Sequence, residues 1–321
     1  MSKKVHKTSV GGQALIEGIM MKGPKGTAMT VRLPSGEIET EFKNTKPWKD
    51  KNKFFSLPLI RGIVAFAESM VTGYQYLMES AEKSTQGLED DEADMSKFDR
   101  WINDHFGEKM MNVLGVISSI LGVALALVLF MWLPTFLVDV ITRNQLLKYH
   151  PLFEGLIRIV IFVLYMFLVS KMKEIHRVFM YHGAEHKSIF CYEHGLELTV
   201  ENVKKQGRFH PRCGTSFMFV MILLSILLSS ILVLIFPELS QINRFLWILI
   251  KLLILPLVMG IGYEFIRYAG KHDNWFVKAL SAPGLWMQRI TTQEPTDDIV
   301  EVGIAALSAV LTENPEDDEI K

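Results

Sequence analysis

The chain has 321 residues, an apolar share of 49% and a formal net charge of -1. Its length would fit one or two soluble domains, but the apolar share and a mean hydropathy of +0.22 point to a membrane protein. No basic patch with interleaved aromatic residues occurs in the sequence, so we expect no nucleic-acid partner.

A small N-terminal module is predicted for residues 1–85. In TAMTVRLPSGEIETEF, alternating apolar and polar residues flank a Pro-Ser-Gly turn, which predicts a β-hairpin after the glycine-rich stretch GGQALIEGIMMKGPKG. Apolar residues at helical spacing over residues 57–82 predict an amphipathic helix that lies on the membrane or packs on membrane-spanning helices. The alternative is a buried helix of a soluble subdomain. Residues 86–108 are acidic and lack apolar periodicity, which predicts a flexible linker.

Four long apolar runs predict a mainly α-helical, polytopic membrane protein with about four transmembrane helices in residues 109–270. The runs cover residues 111–138, 152–170, 217–236 and 245–266. Two of them contain a basic residue, Arg158 or Lys251, each close enough to a span end to extend its charge to the interface.

Basic residues concentrate in the loop 171–215, between the second and third runs, while the two outer loops contain few. By the positive-inside rule, this loop and both termini are expected in the cytoplasm, with membrane lipid around the spans. After the last span, residues 271–321 are expected to be cytoplasmic. Helix-capping residues followed by an apolar face predict an amphipathic helix from about 297 to 311 there, and an acidic tail follows.

The loop 171–215 contains the sequence YHGAEHK, with His182 and His186 four residues apart. On a helix these side chains project from one face and can share a metal ion. The order H-x-x-E-H is that of inverzincins, in which the glutamate, here Glu185, acts as the general base on a metal-bound water. Zinc would bring such a water to a pKa of about 7. The motif therefore predicts a zinc site and permits hydrolysis.

Such a site needs further ligands, and we prefer His210 and Cys213 of FHPRCGTSF because their short spacing and the bend at Pro211 favour a common ligand position. His194 is another candidate. The two cysteines are expected as free thiols or metal ligands rather than a disulfide, since the compartment is reducing. The alternative is a polar helix end at the membrane boundary, without a metal.

Glu17 lies in the apolar stretch QALIEGIMM, where an acid is costly unless it is paired. We interpret Glu17 as a metal ligand or as a partner of Arg61. A solvent-facing residue on a short helix is the alternative.

The chain resembles a known family in five segments that occur in order: GGQALIEGIMMKGP, RGIVAFAES, YHGAEHKSIFCYE, HPRCGTSF and LSAPGLWMQRITTQEPTDDIVEVGIAAL. These segments, between about residues 9 and 311, are similar to bacterial membrane proteins grouped as domain of unknown function 1385, the YqhQ-like family. The resemblance implies a predicted metal-dependent enzyme in the bacterial cytoplasmic membrane. Its motifs point to His182, Glu185, His186, His210, Arg212, Cys213, Gln13 and Glu17.

Two functional hypotheses follow from these patterns. The first is a zinc-dependent membrane hydrolase with Glu185 as the general base. The second is a non-enzymatic membrane adaptor or assembly factor in which the His/Cys loop is structural. Such an adaptor would bind a membrane-protein partner through the C-terminal amphipathic helix and the helix near Val64.

Overall fold

The computed structural model describes residues 6–44, 47–86, 116–142, 149–272 and 274–319. The predicted linker from residue 87 onward and the start of the first predicted span, residues 111–115, lie outside the described residues. The chain forms two compact units. The first consists of Met1–Gln86, Val163–Leu228 and Lys251–Lys321, and the second consists of Gly87–Phe162 and Ser229–Ile250.

The described chain is mainly helical and contains one small antiparallel sheet. The strands are β1 (Gly11–Leu15), β2 (Gly18–Gly23), β3 (Gly26–Arg32) and β4 (Ile38–Lys43). The helices are α1 (Ile60–Thr85), α2 (Val116–Thr142), α3 (His150–Val169), α4 (Lys173–Glu193), α5 (Val200–Lys204), α6 (Gly214–Ile235), α7 (Arg244–Lys271), α8 (Trp275–Thr291) and α9 (Asp297–Val310). Short 3-10 turns occur at Trp48–Asp50, Lys53–Ser56, Pro237–Gln241 and Pro315–Asp318.

The predicted β-hairpin is confirmed as strands β3 and β4. Gly36, in the turn between them, has a φ of 90°, a conformation that favours glycine. The glycine-rich stretch before the hairpin forms two further strands, β1 and β2, so that the sheet is a four-stranded meander in the order β1-β2-β3-β4. These two strands were not predicted, because glycines at positions 11, 12, 18 and 23 interrupt the apolar alternation.

Both faces of this sheet are covered by helices of the first unit. Side chains alternate along a strand, so Ile19 and Met21 of β2 point to one face, where α4 and α9 pack. Met29 and Val31 of β3 point to the opposite face, where Tyr76 of α1 lies against them. The sheet is therefore the middle layer of a three-layer core.

The apolar face of α9 belongs to this core. The helix Asp297–Val310 agrees with the predicted C-terminal helix, but Ile299, Val302 and Leu307 are fully buried against α4 and the sheet. We predicted this face as a docking surface for a partner, and that prediction is wrong because the chain uses the face internally. The segment that precedes the sheet also contacts the segment after α9, since Thr8 Oγ1 donates to Asp318 Oδ2 at 2.6 Å.

Four helices, α2, α3, α6 and α7, are long and apolar enough to cross a membrane, as the four apolar runs predicted. The basic residue in α3 does not extend to a span end. Instead, Arg158 Nη2 donates to Glu154 Oε1 at 2.6 Å, and its Nε donates to the Phe130 carbonyl at 2.8 Å. Phe130 lies in a π-helical turn of α2, Val128–Trp132. A buried ion pair with further hydrogen bonds replaces solvent around both charges.

Two further helices, α4 and α8, follow the apolar helices α3 and α7. The apolar helix α3 ends at Val169 and α4 begins at Lys173, so the histidine motif lies on a separate helix. No helix was predicted between α7 and residue 297, yet this segment forms α8. The side chain of Asn274 caps α8 by accepting a hydrogen bond from the Val277 amide at 2.9 Å.

Candidate metal centre

The centre of the candidate site is one face of α4. His182, Glu185 and His186 lie at positions i, i+3 and i+4 of this helix and line a cavity of about 380 Å³. The other walls come from the segment 10–14, which leads into and includes most of β1, and from residues 210–214. The cavity is therefore enclosed by three segments that are far apart in the sequence.

Backbone carbonyls fix the orientation of both histidine rings. His182 Nδ1 lies 2.8 Å from the carbonyl oxygen of Thr291, and His186 Nδ1 lies 2.6 Å from that of Arg208. A carbonyl can only accept a hydrogen bond, so each Nδ1 carries the proton when the imidazole is neutral. The lone pair is then on Nε2 of each ring. Histidine ligands of metals typically make this type of outer hydrogen bond.

Cys213 completes a group of three potential ligands. Its Sγ lies 3.2 Å from His182 Nε2, and one ligand atom from each of His182, His186 and Cys213 lies within 4.8 Å of the others. Two imidazole nitrogens and one sulfur are a donor set that suits zinc. Three protein ligands also leave the fourth position of a tetrahedral site for water or substrate, as in catalytic zinc sites.

Glu185 lies in the same cavity and is buried. Its Oε1 accepts a hydrogen bond from the Gly12 amide at 3.0 Å. Burial raises the pKa of Glu185, although nearby His182 and the Gly12 amide act in the opposite direction. Gly12 permits this contact, because a Cβ at position 12 would lie only 3.2 Å from Glu185 Cδ. The sequence analysis missed this contribution of the N-terminal backbone, for which the pair Gly11-Gly12 was the only signal.

His210 lies beside the three ligands but is not one of the group. Its ring centroid is 5.5 Å from that of His186, and its Nε2 lies 3.6 Å from Glu193 Oε2 and 3.4 Å from Arg212 Nη2. Burial lowers the pKa of His210 to about 4, despite the neighbouring Glu193 carboxylate. The structure therefore brings Cys213, but not His210, to within ligand distance of both α4 histidines.

Arg212 forms a partly buried ion pair with Glu193. Burial alone would raise the pKa of Glu193, but the neighbouring His210 and the charge of Arg212 outweigh it, and the pKa is lowered. Glu193 Oε1 also accepts from the Thr8 amide at 2.9 Å. This ion pair thus holds the N-terminal segment against the end of α4, next to the cavity.

The remaining predicted residues lie at different distances from the centre. His194 is exposed at the end of α4, and its Nδ1 lies 2.8 Å from Gln206 Oε1, so it is not brought to the group. Gln13 lines the cavity.

Glu17 forms an ion pair with Arg177, with one oxygen 2.6 Å from Nη2. The predicted pairing of Glu17 with Arg61 is wrong, since Arg61 pairs with a glutamate of α7.

Gly183, inside the H-x-x-E-H motif, allows a close contact between two backbones. A Cβ at this position would overlap the carbonyl oxygen of Gln293, and the Gln293 amide donates to the Phe179 carbonyl at 2.8 Å. A glycine inside a helix costs about 1 kcal/mol relative to alanine, so Gly183 weakens the prediction of a helix for this motif. In the structure, it lets the segment after α8 approach α4, and Thr291 of the preceding turn orients His182.

We expect Gly183→Ala to destabilise the protein by about 1–3 kcal/mol, because the overlap involves backbone that cannot rotate away. Helix propensity acts in the opposite direction, since alanine gains about 1 kcal/mol over glycine inside a helix. Thermal unfolding in detergent measures the difference. Gly207→Ala is the control, because a Cβ there would meet open space. A melting temperature of the Gly183 variant equal to or above that of the wild type would contradict the close backbone contact.

The fold and site together define a mainly helical protein with four helices apolar enough to cross a membrane and a His/Cys cluster beside a small sheet. A family model described as "Protein of unknown function (DUF1385)" matches residues 57–313. The chain is 33% identical to the uncharacterized protein YqhQ of Bacillus subtilis (strain 168) over 323 residues, which covers 97% of this chain and 95% of that protein. The chain belongs to the DUF1385 family. No solved structure matches it.

Proposed function

We propose that this protein is a zinc-dependent hydrolase of the bacterial cytoplasmic membrane. His182, His186 and Cys213 would hold the metal, and Glu185 would transfer the proton. One observation carries the proposal: three ligand atoms within 4.8 Å of one another lie at a cavity that a buried carboxyl group also lines. Both histidines of this group are oriented by backbone carbonyls, which is typical of metal ligands.

Zinc in such a site supplies a Lewis acid and lowers the pKa of a bound water to about 7. The residues of the chain perform the other tasks. Glu185 is positioned by the Gly12 amide to accept a proton at its carboxylate and to return it to a leaving group. Gly12 and its neighbours close one side of the cavity, which limits access of bulk water.

The membrane location rests on the four apolar helices and on the distribution of basic residues in the loops. In this arrangement, the metal centre and both termini lie on the cytoplasmic side. The ligands are close to a span: Cys213 immediately precedes α6, which is one of the four apolar helices. A substrate that partitions into the membrane could therefore reach the centre.

Metal removal tests this function. We expect the detergent-purified protein to contain about one zinc per chain. It should also hydrolyse at least one member of a panel of lipid-like esters and phosphoesters. A zinc chelator is expected to abolish turnover, and added zinc to restore it, with metal content measured by elemental analysis in the same samples. Protein without zinc, or turnover that survives complete removal of zinc, would contradict the proposal.

One observation supports the alternative function, a non-enzymatic membrane adaptor. On α1 the side chains of Met70, Val71, Tyr74 and Met78 are exposed, and they could contact lipid or another membrane protein. The C-terminal helix no longer supports this function, because α9 is buried. Zinc that is present at full occupancy without any turnover would favour the adaptor over the hydrolase.

A further inference from the structure

A second cavity, of about 610 Å³, lies in the first unit next to the candidate metal centre. Residues 7–11, the end of α7 and the helix α8 form most of its walls. Arg212 and Cys213 line both this cavity and the smaller one that contains the histidines. A molecule bound in the larger cavity would therefore reach a candidate zinc ligand directly.

The interior of this cavity is apolar. Phe217 and Val220 of α6, Ile266 of α7, and Val277 and Leu285 of α8 line it. Val220 and Val277 are buried in the fold. A wall of aliphatic and aromatic side chains stabilises a hydrocarbon chain by removing its surface from water.

The polar part of the lining is basic. Lys7, Arg267, Lys271 and Lys278 line the cavity with exposed side chains, and the fifth basic residue of the lining, Arg212, is paired with Glu193. Among the described residues that line it there is no aspartate or glutamate. Such a lining attracts a molecule that carries both an anionic group and a hydrocarbon chain.

The elements around the cavity fit the polar–apolar boundary of a membrane. The apolar helix α7 ends at Lys271, and α8 begins four residues later with Trp275 and Phe276, which are 79% and 46% exposed. Trp286, further along α8, is 51% exposed. Exposed tryptophans next to the end of an apolar helix are typical of the headgroup level, where aromatic side chains are enriched.

We propose that this cavity binds an anionic phospholipid of the membrane and presents it to the metal centre as substrate. The phosphate group would bind among Arg267, Lys271 and Lys278, and an acyl chain would lie along the wall formed by α6 and α8. The assignment of the lipid as a substrate rests on the proposed zinc hydrolase. Lipid binding itself depends only on the basic and apolar lining.

Lipid retention tests the binding. The purified protein is incubated in detergent with equimolar phosphatidylglycerol and phosphatidylcholine and then re-purified, and the bound lipid is quantified by mass spectrometry. We expect wild type to retain phosphatidylglycerol preferentially. The double variant R267Q/K271Q should reduce this preference roughly tenfold or more, because each basic residue near an anionic headgroup strengthens binding about fivefold.

Two comparisons make the result specific to this cavity. The double variant K25Q/K205Q removes two exposed lysines that do not line it, and we expect its lipid preference to equal that of wild type. Leu285→Trp fills the apolar part and should lower retention of both lipids. Elution profile and melting temperature show whether each variant is folded. Equal retention of both lipids by wild type, or equal effects of the two double variants, would overturn the proposal.

A soluble headgroup distinguishes a phospholipid from a free phosphate compound. We expect glycerol phosphate in excess to leave the bound phosphatidylglycerol in place, because it lacks the acyl chain; displacement would overturn the lipid assignment. His186→Ala separates this proposal from the hydrolase, since it should lose zinc but retain lipid. Zinc-free wild type that still prefers phosphatidylglycerol would disprove the hydrolase and leave the lipid site intact.

Discussion

Replacing His186 by alanine is expected to lower the zinc affinity of the purified protein by more than about 100-fold, because changes to outer-shell partners of a metal ligand already cost about 10–100-fold. The variant removes one of the three potential ligands in the group, and the remaining pair, His182 and Cys213, would leave two of the four tetrahedral positions of zinc without a protein ligand. Zinc per chain is measured by elemental analysis after dialysis against a weak chelator.

The matched control is His194→Ala, on the same helix. His194 is exposed and interacts with Gln206 rather than with the group of three, so its loss should leave zinc content unchanged. Equal zinc content in the His186 variant and the wild type would show that the predicted ligand set is incorrect. Equal losses in the two variants would show that zinc binds to surface histidines.

Glu185→Gln is expected to keep zinc and to lower hydrolytic turnover by about 10²–10⁴-fold, the usual contribution of a general acid or base. The amide oxygen of glutamine can still accept the hydrogen bond from Gly12, so the cavity should keep its shape. Only the ability to take up and return a proton is removed. Turnover and zinc content are measured on the same preparation.

Glu174→Gln controls for the loss of a negative charge on the same helix, since Glu174 is exposed in its first turn. We expect its turnover to equal that of wild type. If Glu185→Gln retains full turnover, Glu185 has no role in proton transfer and the H-x-x-E-H motif provides ligands alone. If its zinc is lost, the carboxyl group is required to build the site, and the proposed division of roles is incorrect.

The apolar runs predicted the four long helices because their signal is local: each run alone is long enough to cross a bilayer. The helical spacing of His182 and His186 was equally local, and the structure places both on one face of α4. The sequence predicted both His210 and Cys213 as further ligands, because both lie close to Pro211, and it could not show that only Cys213 joins the two histidines of α4. The difference depends on Glu193, whose interaction with His210 is a tertiary contact.

Other parts of the site depended on contacts between distant segments. Glu17 could be recognised as an acid in need of a partner, but several basic residues were available, and the fold placed Arg177 beside it. The burial of α9 in the core could not be predicted for the same reason. Its apolar face would fit a docking surface and a protein core equally well. Amphipathic patterns show which face is covered but not by which element.

The contact between Thr8 and Asp318 has a consequence for the order in which the protein can fold during synthesis. These residues are 310 positions apart in the chain. At about 5–20 residues per second, the ribosome needs roughly 15–60 s to deliver the second after the first. Strands β1 and β2 therefore emerge long before α9, which covers one face of the sheet, has been made. The N-terminal strands must remain unaggregated during this interval, and a prematurely terminated chain that lacks α9 cannot complete this core.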